Sequence, residues 1–116
     1  MAPLEMKSEQ RQNAVVLEVA GEVDAYTAPL LQERLTEVFA EAAKGRLAVV
    51  LDMTGVSFLA STGLSVLVEF HLRGVEEGTT LRVVAPAGSV LRALRATTLN
   101  EMIELHATVD EALAAG

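Results

Sequence analysis

The sequence predicts an α/β fold: a single domain spanning residues 1–116, with a mixed, mostly parallel sheet of about five strands and about four helices. Three observations predict it. After an opening pair of strand-like stretches, apolar patterning alternates between strand and helix periods, the order that parallel crossover connections produce. The run Leu47-Ala48-Val49-Val50-Leu51 is almost continuously apolar, as a central strand covered on both faces must be. A chain of 116 residues that is 51% hydrophobic and 22% charged also has enough material for one packed core. Aromatics are only 3%, so that core must be built from Leu, Val and Ala.

The elements follow in order. Residues 4–8 read as an edge strand pairing with a strand over 14–20, which Gly21 ends. Thr27-Ala28-Pro29 opens a helix: Thr is a good cap, and Pro fits the first turn because its missing donor is not needed there. Leu31, Leu35, Val38 and Ala42 recur at helical spacing, and Lys44-Gly45 stops the helix. The central strand over 47–51 ends at Asp52, whose carboxylate suits loop amides and whose place is near the site discussed below. A short turn then leads to a helix opening near Ser61, with Leu64, Leu67, Val68, Leu72 and Val75 on one side. Val66 and Phe70 widen that surface, leaving a polar stripe of Ser65, Glu69, Arg73 and Glu76, so this helix is expected to be mostly buried. A strand over 80–85, a turn and a helix over 90–97, and a short strand over 102–105 come next. Thr108 followed by Glu111 is a capping box opening the last helix.

Composition excludes several functions. With no cysteine there is no disulfide, no thiolate catalysis and no cysteine-based metal site. His71 and His106 have no companion at ligand spacing; His71 reads as a partly buried, hydrogen-bonded core residue, so no metal is expected. The formal charge of -7 argues against a nucleic-acid partner and favours a basic protein surface. No apolar run reaches the roughly 20 residues of a membrane span, and Met1-Ala2-Pro3-Leu4-Glu5 does not look like a signal peptide, so the expected location is the cytoplasm. Arg92 and Arg95 fall on the solvated side of their helix.

The most informative residue is Ser61. Local chemistry alone gives it a structural role, since Ser at a helix start caps a free amide. It is a poor candidate nucleophile: Leu59 stands where the nucleophile elbow needs Gly, and neither histidine has an acid partner. No phosphate-binding glycine loop is present. Asp24 and Glu22 read as turn formers beside a helix start, and Gly63 as a close-packing position.

Three segments together carry a resemblance: Gly21-Glu22-Val23-Asp24 with Tyr26-Thr27-Ala28-Pro29-Leu30, then Val50-Leu51-Asp52-Met53-Thr54-Gly55-Val56-Ser57-Phe58-Leu59, then Ser61-Thr62-Gly63-Leu64. In this order and spacing the chain resembles the STAS domain family, in its small anti-sigma factor antagonist form. The resemblance implies the STAS-type fold and a bacterial regulatory module of transcription in the stress response. It implies a binding protein without a cofactor, not an enzyme. Its partner would be an anti-sigma factor that is also a serine kinase, which supplies the nucleotide. Ser61 would be the phosphorylated residue, with Thr62 a secondary acceptor and a phosphatase reversing the modification. The partner-binding surface would comprise Asp24, Tyr26, Thr27, Ala60, Ser61, Thr62, Gly63 and Ser65. One departure stands out: many members have Asp before the serine, where this chain has Ala60. That substitution favours an alternative reading, a non-phosphorylated STAS adaptor subunit of a transporter or signalling assembly. The apolar stretch 49–58 leaves both a monomer and a weak homodimer open.

Overall fold

The computed structural model describes residues 4–115; the first three residues of the stretch read for a signal peptide, and Gly116, lie outside them. Five strands, β1 (Glu5–Arg11), β2 (Ala14–Val23), β3 (Ala48–Leu59), β4 (Leu81–Val84) and β5 (Glu104–His106), form one sheet in chain order. β1 pairs antiparallel with β2, and every other pairing is parallel. The helices are α1 (Ala28–Gly45), α2 (Ser61–Glu77), α3 (Ser89–Ala96) and α4 (Val109–Ala114). This is the predicted mixed, mostly parallel α/β architecture.

The sheet is covered unequally. On one face Val15, Leu17, Val19, Val49, Leu51, Met53, Leu81 and Val83 pack against Leu31 and Leu35 of α1, Leu67 and Phe70 of α2, and Leu94 of α3. Phe39 and Phe70 meet there with ring centroids 5.2 Å apart, and the Arg73 guanidinium sits 4.7 Å over the Phe70 ring. Among the described residues the other face has only α4, whose Ala112 and Leu113 cover Ala14, Val16, Val50 and Val84. Beyond α4, Glu18 and Thr54 meet solvent.

Both central strands run further than the residue pattern predicts. Gly21 does not end β2; it is held at φ 116°, and the strand continues to Val23. Asp52 does not end β3; it lies mid-strand, and no turn separates it from Ser61. Parallel pairing carries both strands on through two register shifts, to Val23 opposite Leu59. Gly55 makes this possible, because a Cβ there would lie 2.9 Å from the Ala20 Cβ.

α2 also differs from expectation. Its buried face is Gly63, Val66, Leu67, Phe70 and Gly74, whereas Leu72 and Val75 are exposed. Counting apolar residues overlooked the two glycines, where the helix backbone itself approaches its neighbours. At Gly74 an added Cβ would collide with the Thr79 carbonyl oxygen, so the helix must touch the chain entering β4. β5 begins at Glu104 rather than Met102, because a single 3-10 turn, Leu99–Glu101, occupies the chain just upstream. At α4 half of the predicted capping box forms: Thr108 Oγ1 accepts the Glu111 amide at 3.1 Å, whereas Glu111 Oε2 reaches one residue further back and accepts the Ala107 amide at 3.2 Å.

Candidate functional site

The site lies where β2 and β3 end together. The Ala60 amide donates to the Val23 carbonyl at 2.8 Å, so the start of α2 is pinned beside the loop leading into α1. Gly63 faces this junction. A Cβ there would come within 2.6 Å of Val23 Cγ1 and 2.5 Å of Leu59 Cδ1, so only glycine lets the first turn of α2 settle onto the strand ends.

Asp24 organises the opposite wall. Its Oδ1 accepts the Tyr26 amide at 2.9 Å and the Thr27 amide at 3.0 Å. The hydrogen bond from the Thr27 amide, supported by that from Tyr26, holds the Asp24 carboxyl below its ordinary value despite some desolvation. Thr27 does not cap α1 through its side chain as predicted. Its hydroxyl accepts the Asp24 amide at 2.9 Å and donates to the Glu22 carbonyl at 2.7 Å, closing the loop on itself. This tight turn leaves Tyr26 projecting outward, 89% exposed.

Ser61 is exposed at the first position of α2. It is not the cap. That place belongs to Ala60, which is extended (φ -81°, ψ 171°) and has no side-chain acceptor to offer. Among the described residues the Ser61 hydroxyl makes no hydrogen bond, and only its carbonyl is engaged, by Ser65 Oγ at 3.1 Å. The first amides of a helix have no intrahelical partner, so this end of α2 carries positive potential that no side chain neutralises.

A groove of about 270 Å³ joins the two walls, lined by Ala25, Ala28, Pro29, Gln32, Thr62, Ser65, Val66 and Glu69. Gln32 Nε2 bridges it to Glu69 Oε1 at 2.8 Å. Seven of the eight residues expected at a partner surface reach the surface in the 24–27 loop or at the start of α2; the eighth, Gly63, is buried against Val23 and Leu59 and so shapes that surface from beneath rather than forming part of it. Asp52 does not join them. It accepts the Thr54 amide and hydroxyl, at 3.0 and 2.6 Å, and lines a separate hollow on the open sheet face with Glu5, Lys7 and Glu18. Leu30 in the first turn of α1 and Phe58 near the end of β3 are 41% and 49% exposed. Both stand in the resembling segments, and their outward placement needed the strand register and helix phase to be seen.

The histidines take no part in this site. His71 is half-buried beside Gly74 and Val75 and makes no side-chain hydrogen bond among the described residues, contrary to the expectation of a hydrogen-bonded one. His106, contrary to expectation, does have an acid partner: its Nε2 lies 2.7 Å from Glu104 Oε2, which also accepts from Arg82 Nε at 2.8 Å, but this pair is not at Ser61. Arg82, buried within β4, is a cation the sequence reading passed over as a strand residue. No group of three or more acidic or histidine side chains able to hold a metal occurs among the described residues. None of the described helices is long and apolar enough to cross a membrane.

A family model described as the STAS domain matches residues 5–112. An anti-sigma-B factor antagonist of Bacillus subtilis is 30% identical over 98 residues, which span 84% of this chain and 86% of that protein. A solved anti-sigma factor antagonist from Mycobacterium paratuberculosis superposes with a TM-score of 0.86 at 31% identity, covering 97% of this chain and 92% of the other. Unphosphorylated SpoIIAA, an anti-sigma factor antagonist, shares the fold with a TM-score of 0.67 at 13% identity, covering 96% of each chain.

Proposed function

The chain belongs to the STAS domain family, and from that membership we propose that it is an anti-sigma factor antagonist, one domain over residues 1–116, working in the cytoplasm. It binds an anti-sigma factor of the serine-kinase type and so frees the sigma factor. Phosphorylation of Ser61 switches it off, and a phosphatase restores it. It has no catalytic task of its own. The observation that carries this reading is the free, exposed Ser61 hydroxyl on an uncapped helix end, beside a groove walled by the Asp24–Thr27 turn.

The physics of the switch follows. A phosphate adds about -1.5 to -2 charges, and a helix N-terminus tolerates it well, so the fold survives modification. A partner packed over Thr62, Ser65 and Tyr26 does not tolerate it. Burying an unpaired dianion costs several kcal/mol, which lowers affinity by orders of magnitude. Binding of the kinase-type anti-sigma factor, measured by calorimetry, is expected to be unchanged in Ser61→Ala. In Ser61→Asp it is expected to weaken at least tenfold, about 1.4 kcal/mol. Wild-type affinity in both variants would sink the switch. Phosphosite mapping on protein from growing and stressed cells then reports whether Ser61, or Thr62, is the acceptor.

One observation favours the second reading, an adaptor that is never phosphorylated. Ala60 occupies the cap of α2, so the residue before the serine offers no carboxylate to orient its hydroxyl. Copurification with a transporter or a signalling scaffold, with no phosphate on Ser61 in either condition, supports that reading.

A further inference from the structure

β1 is an edge strand: it pairs with β2 on one side, and no other strand of the described residues lies on its outer side. Such an edge is a ready template for another strand, which proteins ordinarily manage with charges. Here the charges have a particular order. β1 reads Glu5-Met6-Lys7-Ser8-Glu9-Gln10-Arg11. Glu5, Lys7, Glu9 and Arg11 alternate along the strand and so share one face, opposite Ala20, Glu18, Val16 and Ala14 of β2. Their present ion pairs are long and exposed: Lys7 to Glu18 at 3.9 Å, Arg11 to Glu9 and to Asp110 at 4.0 Å each. Such contacts contribute little and leave the side chains free to take other partners.

We propose that β1 pairs antiparallel with β1 of a second copy of this chain, on a two-fold axis through Ser8, joining two sheets into one. In that register Glu5 stands opposite Arg11 of the second copy and Lys7 opposite its Glu9, and the symmetry repeats both pairs. Every directly opposed charged pair is then of opposite sign, the arrangement that stabilises antiparallel neighbours. The adjacent same-face registers do the reverse. Shifted one way, Glu5 meets Glu9 and Lys7 meets Lys7; shifted the other, Lys7 meets Arg11 and Glu9 meets Glu9. The strand is thus complementary to itself in one register and repelled in its neighbours. Met6, Ser8 and Gln10 occupy the other face and oppose only uncharged residues.

The contact is short. A seven-residue strand extends about 23 Å. An interface of that size belongs to the weak, transient class, so the dimer is concentration-dependent and weakened by salt. β1 contributes nothing to the groove beside Ser61, so this pairing and partner binding are separable.

Sedimentation equilibrium on the full chain at low salt tests the pairing. Wild type is expected to self-associate to a dimer. Lys7→Glu and Glu9→Lys each place like charges opposite one another and should weaken self-association at least tenfold, with circular dichroism unchanged. An equimolar mixture of the two variants restores opposite pairs and should dimerise within a few-fold of wild type. The double variant carrying both changes should behave likewise. A wild type that stays monomeric to about 1 mM overturns the proposal. Single variants that dimerise like wild type also overturn it, because the contact would then lie elsewhere. Failure of the mixture and of the double variant to recover would exclude the Ser8-centred register.

Discussion

At the scale of single residues, the site depends on two that differ in what they tolerate. The exposed Ser61 hydroxyl makes no hydrogen bond among the described residues, so Ser61→Ala should change stability by no more than about 0.5 kcal/mol, which separates any binding effect from folding. Gly63 is the opposite case. Val23 is fully buried and stiff at Cβ, so it cannot yield to a new methyl group 2.6 Å away. Gly63→Ala is expected to cost about 1–3 kcal/mol by chemical denaturation, as overpacking does, and to lift α2 from the strand ends. Residue identity made Ser61 and its neighbours legible as a cluster, because their types stand in a recognisable order. It did not reveal which residue caps the helix. Capping is decided by backbone angles, and the extended backbone belongs to Ala60, a residue type that rarely takes the role. Thr27 departs from the predicted cap for a related reason: its hydroxyl is taken up by the Glu22 carbonyl and the Asp24 amide rather than by a helix amide.

At the scale of elements, the uncapped start of α2 invites a direct test. Ala60→Asp supplies the missing acceptor and a favourable charge, and should raise stability by about 0.5–2 kcal/mol in thermal or denaturant unfolding. The same carboxylate would oppose a phosphate on Ser61, so the stability gained on phosphorylation should be smaller in Ala60→Asp than in wild type. Pairing of β4 with β5 gives a pH-dependent counterpart. Burial pushes the Glu104 carboxyl up, but the His106 hydrogen bond and the Arg82 charge outweigh it and hold the pKa below its ordinary value of 4.5. A depressed carboxyl stabilises the fold fully above the unfolded value and loses that contribution as pH falls through the folded one. The stability difference between wild type and Glu104→Gln, followed by urea unfolding, should therefore be largest above pH 4.5 and shrink below it. Strand and helix order was legible from periodicity, but the lengths of β2 and β3 were not. The local end signals at Gly21 and Asp52 are overridden by parallel pairing, which continues while Val23, Val56 and Leu59 find buried places.

At the scale of the whole molecule, the unequal covering of the sheet divides stability from recognition. Leu113 of α4 is 3% exposed and closes the second core, on the face away from α1 and α2. Leu113→Ala is expected to destabilise by about 2–4 kcal/mol in denaturant while leaving the affinity of the surviving folded protein for its partner unchanged. The α/β class and this layering were readable from the alternation of elements. The openness of the outer face was not, because the apolar run of β3 suggested cover along its length. The lone tyrosine has a practical consequence at this scale. The chain has one Tyr and no Trp, and Tyr26 stands almost bare in the turn next to Ala25, which lines the groove. Tyrosine emission from this protein therefore comes from a single position. Docking of a partner that lacks tryptophan and tyrosine would change that emission directly, so the molecule carries an unlabelled optical probe at the place where recognition is proposed.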